Sequence, residues 1–567
     1  MSRVGSQPLI VLSEESQRTS GRDAQSMNIT AGKAVASAVR TTLGPKGMDK
    51  MLVDSMGNVV VTNDGVTILE EMDIEHPAAN MIVEVAETQE AEVGDGTTTA
   101  VVIAGELLSK AEDLLDQDVH PTTLTQGYRA AAQRAREILT EDSISIDIDD
   151  TDKLELLAQT SMTGKGAEGA KSHLAKIVVD AVRAVHDDDG IDTEHIEIKQ
   201  ITGGAIEESQ LIEGFVLSKN PVHDNMPLYL EDASIAVING AMEVPETEID
   251  AEVNISDPDQ LQEFLDQEEA QLKEMVDHLE SLGVNAVFTR KGIDDMAQHY
   301  LAEAGIFAIR RVTTSQADNI CRATGAVQVN DVLDVTEDHL GYAGSVAQRD
   351  LHGSERVYIE DVENAKSVTI LLRGATDHVV DEVERAIEDS LGVVRTAILE
   401  GEVLPGGGAP EVALSLALRD YADSVGGREQ LAVEAFADAV DVIPRTLAEN
   451  AGHDPIDSLV ELRSRHDGGD TAAGLNAYTG EVVDMESEGV VEPLRVKTQA
   501  IESATDAAVM ILRIDDVISA GDLKGGGGDD EDDAPGGPGG GMGGMGGMGG
   551  MGGMGGMGGM GGMGGMM

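Results

Sequence analysis

Apolar residues recur at helical spacing through the first quarter of the chain. Ile29, Val35, Val39 and Leu43 share one face, with Asn28 placed to cap the run and Gly44-Pro45 placed to stop it. Ile82, Val85, Ala86 and Ala91 mark a helix over 79–93. Val101, Ala104, Leu107, Leu108, Ala111 and Leu115 mark another, and helices continue to about residue 140. Between 59 and 69, Val59-Val60-Val61-Thr62 and Val66-Thr67-Ile68-Leu69 flank Asn63-Asp64-Gly65, which predicts a β-hairpin. An acidic linker runs over 141–152. From about Ile191 the texture changes to short strands with glycine turns, starting with Ile196, Ile198 and Ile201 and continuing over 235–238. Strands at 284–289 and 306–312 alternate with helices at 293–304 and 315–323, an α/β pattern. A strand over 367–372 leads into a helix over 377–399. Val380, Val383, Ala386, Ile387, Leu391 and Val394 face inward there, with Asp389 between Ile387 and Leu391. Helices follow to about 462, a strand-like run covers 482–496, and a last helix covers 498–512.

Three stretches break the pattern. Residues 247–256 are polar and acidic, and Ser256-Asp257-Pro258 then starts a helix that Gly283 ends. Its apolar stripe is half core, and the front end with Leu261, Phe264 and Leu265 is expected to be exposed and sticky. The first 17 residues are polar and predicted flexible. Beyond Leu523 the chain becomes glycine-rich, then acidic, then a Gly-Gly-Met repeat to Met567. Glycine with isolated methionines builds no core, so 525–567 is predicted to be a disordered, weakly adhesive tail.

Composition narrows the function classes. The chain has 567 residues, enough for several domains, and a net charge of −66. That charge excludes nucleic acid as a general partner. Because 41% of residues are hydrophobic, the chain is not a disordered acidic one, and the acid is spread over its whole length. This reads as a protein made for very high salt, where screening shortens repulsion to about 3 Å. Cys321 stands alone, which excludes a disulfide framework and a cysteine-based zinc site and leaves it as a small core residue. No apolar run approaches transmembrane length and 1–17 lacks a signal-like apolar segment, so no membrane association and a cytoplasmic location are expected.

Candidate chemistry gathers at four glycine loops, each at a helix end. Gly94-Asp95-Gly96-Thr97-Thr98-Thr99 ends one helix and starts the next. A helix start offers free N–H groups to an anion, the threonines add hydroxyls, and Asp95 beside a phosphate implies an intervening Mg²⁺. The alternative is an ordinary Gly-Asp-Gly turn with threonine caps. Leu43-Gly44-Pro45-Lys46-Gly47 and Gly406-Gly407-Gly408 are further such loops. In the fourth, Thr160-Ser161-Met162-Thr163-Gly164-Lys165-Gly166, the lysine is either a phosphate ligand or simply exposed. Residue 159 is Gln and no Ser or Thr follows Lys165, so this is not a Walker-type loop. Asp64 is either functional or pure turn chemistry. Together the loops and the separated aspartates suffice for a nucleoside triphosphate site.

Five motifs in order carry a resemblance. They are Thr42-Leu43-Gly44-Pro45-Lys46-Gly47-Met48-Asp49-Lys50, Asn63-Asp64-Gly65-Val66-Thr67-Ile68-Leu69, the 94–99 loop, Gly406-Gly407-Gly408, and Leu494-Arg495-Val496-Lys497-Thr498-Gln499-Ala500. From about 32 to 521 the chain resembles group II chaperonin subunits of the archaeal thermosome type. The resemblance implies a multidomain α+β chaperonin fold. A mostly helical equatorial ATP-binding domain would cover 18–150 with 403–524. A small α/β intermediate hinge would cover 151–214 with 367–402, and an α/β apical substrate-binding domain 215–366, with 247–280 as a helical lid protrusion.

By motif, Thr42, Leu43, Gly44 and Pro45 with Gly94, Asp95, Gly96, Thr97, Thr98 and Thr99 resemble the nucleotide cradle. Asp95 resembles the Mg²⁺ ligand, Asp389 the catalytic aspartate assisted by Asp64, and Lys165 the γ-phosphate sensor. Gly407 and Gly408 would approach the ribose, with Asn476 and Glu492 flanking the nucleoside. The implied cofactors are ATP and Mg²⁺, with K⁺ plausible. The implied partners are non-native proteins and identical or sister subunits in a double ring, with no separate lid co-chaperonin. The rival expectations are an acidic metabolic ATPase or kinase with a small-substrate pocket in 215–366, and a filament or holdase that binds ATP without a folding cycle.

Overall fold

The computed structural model describes residues 17–53, 55–187, 190–244, 258–351, 354–362 and 365–519. Most of the flexible N-terminus, the polar part of the protrusion and the Gly/Met tail expected from the sequence lie outside the described residues. So do the side chains of Leu261 and Phe264, while Leu265 is 49% exposed.

The helices follow the apolar periodicity closely. In chain order they are α1 (Arg22–Val39), α2 (Gly65–Glu70), α3 (Pro77–Val93), α4 (Thr97–Asp116), α5 (Pro121–Glu141), α6 (Thr151–Met162), α7 (Lys171–Val185), α8 (Pro258–Ser281), α9 (Asp295–Glu303), α10 (Thr314–Thr324), α11 (Asp377–Glu400), α12 (Ala409–Ala422), α13 (Glu429–Val440), α14 (Val442–Asn450), α15 (Pro455–Asp467) and α16 (Leu494–Leu512). Their starts obey capping chemistry. His76 and His120 accept from the N–H two residues on, each followed by proline, and Thr313 closes a capping box with Gln316.

Arg18–Ile518 form one compact unit with several cores. The first draws on residues 29–139 and 404–512, so both ends of the chain build it. Helix α4 runs through its middle, with Ala100, Val101, Ile103, Ala104, Leu107 and Leu108 buried on nearly every side. The second core draws on 146–196 and 368–403, where α7 and α11 pack on the fully buried strand Val368–Gly374 and α6 packs on those two helices. That strand runs parallel to Ile196–Thr202 and antiparallel to Gln210–Ile212. The region from 215 to 365 is a mixed six-stranded sheet with a core on each face. The period-two alternation of a strand decides which residue goes where: Ile235 and Val237 meet α10 on one face, while Ala236 and Ile238 meet α8 and α9 on the other.

The chain passes between the first two cores near 144 and near 402. The two passages are hydrogen-bonded to each other, Glu402–Val403 opposite Ile144–Ser145, and Glu402–Pro405 also pairs with Val491–Pro493. The left-handed Gly401 ends α11 just before this crossing.

Three local expectations are corrected. Val59–Thr62 pairs antiparallel with Lys50–Val53, not with 66–69. Residues 65–70 are helical because Asp64 Oδ2 accepts from Thr67 N (2.8 Å) and Thr67 Oγ1 (2.7 Å), a helix cap written in turn residues. The strand-like run 482–496 is two short strands, Val482–Asp484 and Val491–Pro493, in different sheets, and the last helix starts at Leu494. Thr160, Ser161 and Met162 are the last turn of α6 and not loop.

Helices α1 and α4 meet at glycines. A Cβ on Gly105 would lie 2.2 Å from Ala36 Cβ, and one on Gly32 2.7 Å from Leu108 Cδ1. Gly105→Val is therefore expected to cost about 1–3 kcal/mol through overpacking, seen as a lower denaturation midpoint in molar salt with an unchanged m-value.

Candidate active site

A cleft of about 270 Å³ opens where the first core meets the loop after α6. Four glycine loops converge on it. The first is held by Asn450, whose Nδ2 donates to Leu43 O (2.9 Å) and Arg40 O (3.2 Å). Thr42, Leu43, Gly44 and Pro45 then line one wall, with Thr42 Oγ1 3.4 Å from Thr98 Oγ1. The second loop is anchored from behind. Gln89 Nε2 donates to Asp95 O (2.8 Å) and Val496 O (3.1 Å), while Asp95 Oδ1 accepts from Gly96 N (2.7 Å).

Gly96 caps α4 in the left-handed region at φ 81° and supplies no side-chain cap. The first N–H groups of a 20-residue helix, with Thr97, Thr98 and Thr99, are thus turned to the cleft with no side chain in their way. Gly408, also left-handed, starts α12 in the same manner. Gly65 must be glycine here, since a Cβ would sit 2.6 Å from Thr98 Oγ1.

The cleft has two chemical ends. Asp64, Asp95, Lys165 and the three threonines gather at the polar one. Ile443, Leu447, Leu475, Ala477, Met485 and Val490 supply apolar wall, with Gly407, Gly408, Asn476 and Glu492 beside them. Gly407 packs against this wall, its Cβ position 2.8 Å from Met485 Cε. Asn476 Oδ1 caps its own turn, accepting from Tyr478 N (3.0 Å) and Thr479 N (3.2 Å).

Two predicted residues stand behind the wall. Gly94 caps α3, and its Cβ position lies 3.0 Å from Gly392 Cα on α11. Its role is to let those helices touch, which places it off the cleft surface. Asp389, 6% exposed, reaches the cleft through an ion pair with Lys165 Nζ. Burial raises the Asp389 carboxyl; Lys165 opposes that, Asp64 and Asp95 add to it, and the outcome is about 6. Burial works against the Lys165 charge, but Asp389, then Asp95, hold its ammonium well above the usual range. Asp64 does both things its sequence allowed: it caps α2 and lines the cleft.

The loop carrying Lys165 bridges the cores. Asn63 Nδ2 donates to Gly164 O (2.7 Å). At the rim, Tyr478 Oη donates to Glu168 Oε1 (3.1 Å), Glu168 Oε2 accepts from Gly164 N (3.0 Å), and Lys46 Nζ stands 4.8 Å from the Tyr478 ring centre.

The polar end suits polyanionic phosphate and the apolar end a flat base, the division a nucleoside triphosphate requires. The sequence profile of the TCP-1/cpn60 chaperonin family matches residues 35–522.

The chain belongs to the TCP-1/cpn60 chaperonin family.

Members hydrolyse ATP to drive protein folding. The chain is 70% identical over 530 residues to thermosome subunit alpha of Halobacterium salinarum, covering 93% of this chain and 94% of that one. It is 70% identical over 533 residues to thermosome subunit 1 of Haloferax volcanii, covering 94% and 95%. Identity to the thermosome subunit of Methanopyrus kandleri is 59% over 519 residues, covering 91% and 95%. The two 70% relatives come from salt-loving archaea, in line with the acidity of the chain. As a chaperonin it is a nucleotide-binding ATP hydrolase of group II type, which sets aside the metabolic ATPase or kinase reading.

Sequence reasoning missed several residues. Lys497 lines the cleft, 6% exposed, and donates to Glu492 (2.7 Å) and Glu411 (2.9 Å). Its signal was a lysine amid the apolar positions of a helix in a chain poor in cations. Glu492, counted as a nucleoside contact, is thus also the half-buried partner of Lys497 in an ion pair, its carboxyl raised by burial against the pull of Lys497. Lys497→Ala would leave Glu411, 3% exposed, and Glu492 without their cation. A loss of about 3–5 kcal/mol is expected, measured by denaturation in molar salt, and Lys497→Arg should recover part of it.

Proposed function

We propose that the cleft binds ATP with its phosphates at the Asp64–Asp95–Lys165 end and its base against Leu475, Ala477 and Met485, and that hydrolysis there drives closure of a protein-folding chamber. One observation carries the reading: Lys165 and Asp389, both set in the second core, form one ion pair at a cleft whose cradle belongs to the first. In this reading 18–150 with 403–524 are the equatorial domain, and 151–214 with 367–402 the hinge. Residues 215–366 are the apical domain that grips non-native protein, with 247–280 as the lid and no separate lid protein. Thermosome subunits form rings with sister subunits, and a double ring is expected here. No described helix is long and apolar enough to cross a membrane, and the chamber is assigned to the cytoplasm.

The residues fit the chemistry. N–H groups of Thr97, Thr98 and Thr99 and the ammonium of Lys165 take phosphate oxygens. Asp95 is the group that would hold Mg²⁺, with K⁺ as a further plausible ion. Among the described residues no cluster of three or more carboxylate, histidine or cysteine side chains is arranged to hold a metal alone. That suits an ion that takes one or two carboxylates and completes its shell with phosphate and water. Mg²⁺ would supply the neutralising charge that lets a carboxylate-rich site hold a polyanion. Asp389 orients the attacking water and accepts its proton, with Asp64 assisting. Lys165 turns from Asp389 to the terminal phosphate, which frees the aspartate as a base only once ATP has arrived.

Asp389→Ala in molar potassium salt with Mg²⁺ is expected to bind ATP normally and to hydrolyse it about 10²–10⁴-fold more slowly. The wild type should protect 247–280 from protease during turnover. Normal hydrolysis by the variant would remove Asp389 from catalysis, and absence of protection would leave a holdase. Because the base must be ionised, kcat/KM of the wild type should fall as pH drops through about 6.

A further inference from the structure

The carboxyl group of Glu90 has no place in the mechanism above, yet it touches Asp389. Glu90 lies in the last turn of α3, where its carbonyl accepts the capping bond from Gly94 N (2.9 Å). That turn abuts α11 at the catalytic position, since the Cβ site of Gly94 is 3.0 Å from Gly392 Cα and 3.3 Å from Asp389 O. The Glu90 carboxyl lies beside that of Asp389, close enough for the two to share a hydrogen bond. It does not line the nucleotide cleft. It lines a second cavity with Glu388, Leu391, Gly392 and Arg395 of α11. Asp389 thus stands between the two cavities, with Lys165 on the cleft side.

A hydrogen bond between two carboxyl groups requires a proton on one of them. Lys165 pairs with Asp389, which marks the aspartate as the carboxylate and the glutamate as the acid. We propose that Glu90 is a positioning residue for Asp389, a neutral carboxyl that donates a hydrogen bond to the aspartate and holds it in place when Lys165 leaves for phosphate. The proposal rests on the reading of Asp389 as the group that takes the proton of the attacking water.

The surroundings agree. Around Glu90 stand Asp389, Glu388 and Glu384 of α11, Asp64 and Asp95 of the cleft, and Glu194 and Glu197 across the second cavity. Of the cations nearby, Arg395 lines the same cavity, Arg385 faces Glu384 and Glu388, and Lys165 stands on the far side of Asp389. Burial first, then Asp389 and Asp64, raise the Glu90 carboxyl to about 9. Below that pH it donates; above it, a second negative charge would push Asp389 away.

The test uses the full chain in molar potassium salt with Mg-ATP. Glu90→Gln keeps a neutral donor, and Glu90→Met keeps the bulk without one. Glu90→Gln is expected within about threefold of wild-type kcat at neutral pH, and Glu90→Met about 10–100-fold lower with ATP affinity unchanged. Wild-type kcat should fall above about pH 9, and that fall should be missing in Glu90→Gln. Wild-type activity in Glu90→Met, a Gln variant as slow as Met, or an alkaline fall retained in Gln would each overturn the proposal. Should Glu90→Met fail to fold, the pH profile of Glu90→Gln decides alone. Normal hydrolysis by Asp389→Ala would overturn the underlying reading, whereas a dead Asp389→Ala beside an unaffected Glu90→Met overturns the role of Glu90 only.

Discussion

The site depends on the cation at its polar end. Lys165 faces Asp389, Asp95 and Asp64 in a chain that carries 105 acidic residues against 39 lysines and arginines. Four carboxyl groups with Glu90 crowd a small volume, and burial together with the neighbouring charges raises those of Asp389 and Glu90. The ammonium keeps Asp389 a carboxylate near neutrality, and the last proton is left on Glu90. The elements that carry this lysine and its aspartate, the loop after α6 and the helix α11, share the second core. Asp64 and Asp95 are fixed to α2 and α4 in the first. Charge balance in the cleft is therefore a property of the fit between two cores, not of either one.

This makes the contact between those cores a natural carrier of coupling. The chain crosses between them twice, and the two crossings are hydrogen-bonded side by side at Ile144–Ser145 and Glu402–Val403. A pair of adjacent strands permits rotation more readily than a broad packed interface. Beyond the crossing, several contacts between the cores involve small or polar groups: Gly94 against Gly392, Asn63 on Gly164, and Tyr478 on Glu168. Such contacts are directional and individually modest, so they specify a closed arrangement without welding it. In the mechanism proposed above, a phosphate that captures Lys165 would add a contact between the loop after α6 and the cradle of the first core, and so couple the γ-position to the placement of α11.

Much of the fold was legible because helices with a wet and a dry face write a 3.6-residue period into the chain, as α1, α4 and α11 do. The hairpin over 59–69 was misread because Asn-Asp-Gly serves equally as a turn and as a helix cap. The decision falls to Val66, Ile68 and Leu69, which the first core buries. The glycine loops could be read as anion cradles since each adjoins a helix end. What sequence cannot carry is pairing at long range. Lys165 and Asp389 are 224 residues apart, and Glu90 gains its chemistry only from standing against Asp389. Taken alone on α3 it is one more acid in an acidic helix. Lys497 is the intermediate case: its motif was visible, its partners Glu411 and Glu492 were not.

The acidity of the chain divides its electrostatics into two kinds. In molar salt the screening length falls to about 3 Å, so exposed pairs such as Arg22 with Asp118 contribute little, and the repulsion among surface carboxylates is quenched by the same ions. Enclosed pairs escape that screening. Asp441, with no exposed surface, lies between Arg419 (2.8 Å) and Arg463, and Lys497 lies between Glu411 and Glu492. These groups hold their geometry at any ionic strength the fold survives. The cleft belongs with them: Lys165 and Asp389 are both largely enclosed. A protein can thus surrender its surface to salt and still run chemistry that depends on single charges, provided those charges sit where ions do not reach.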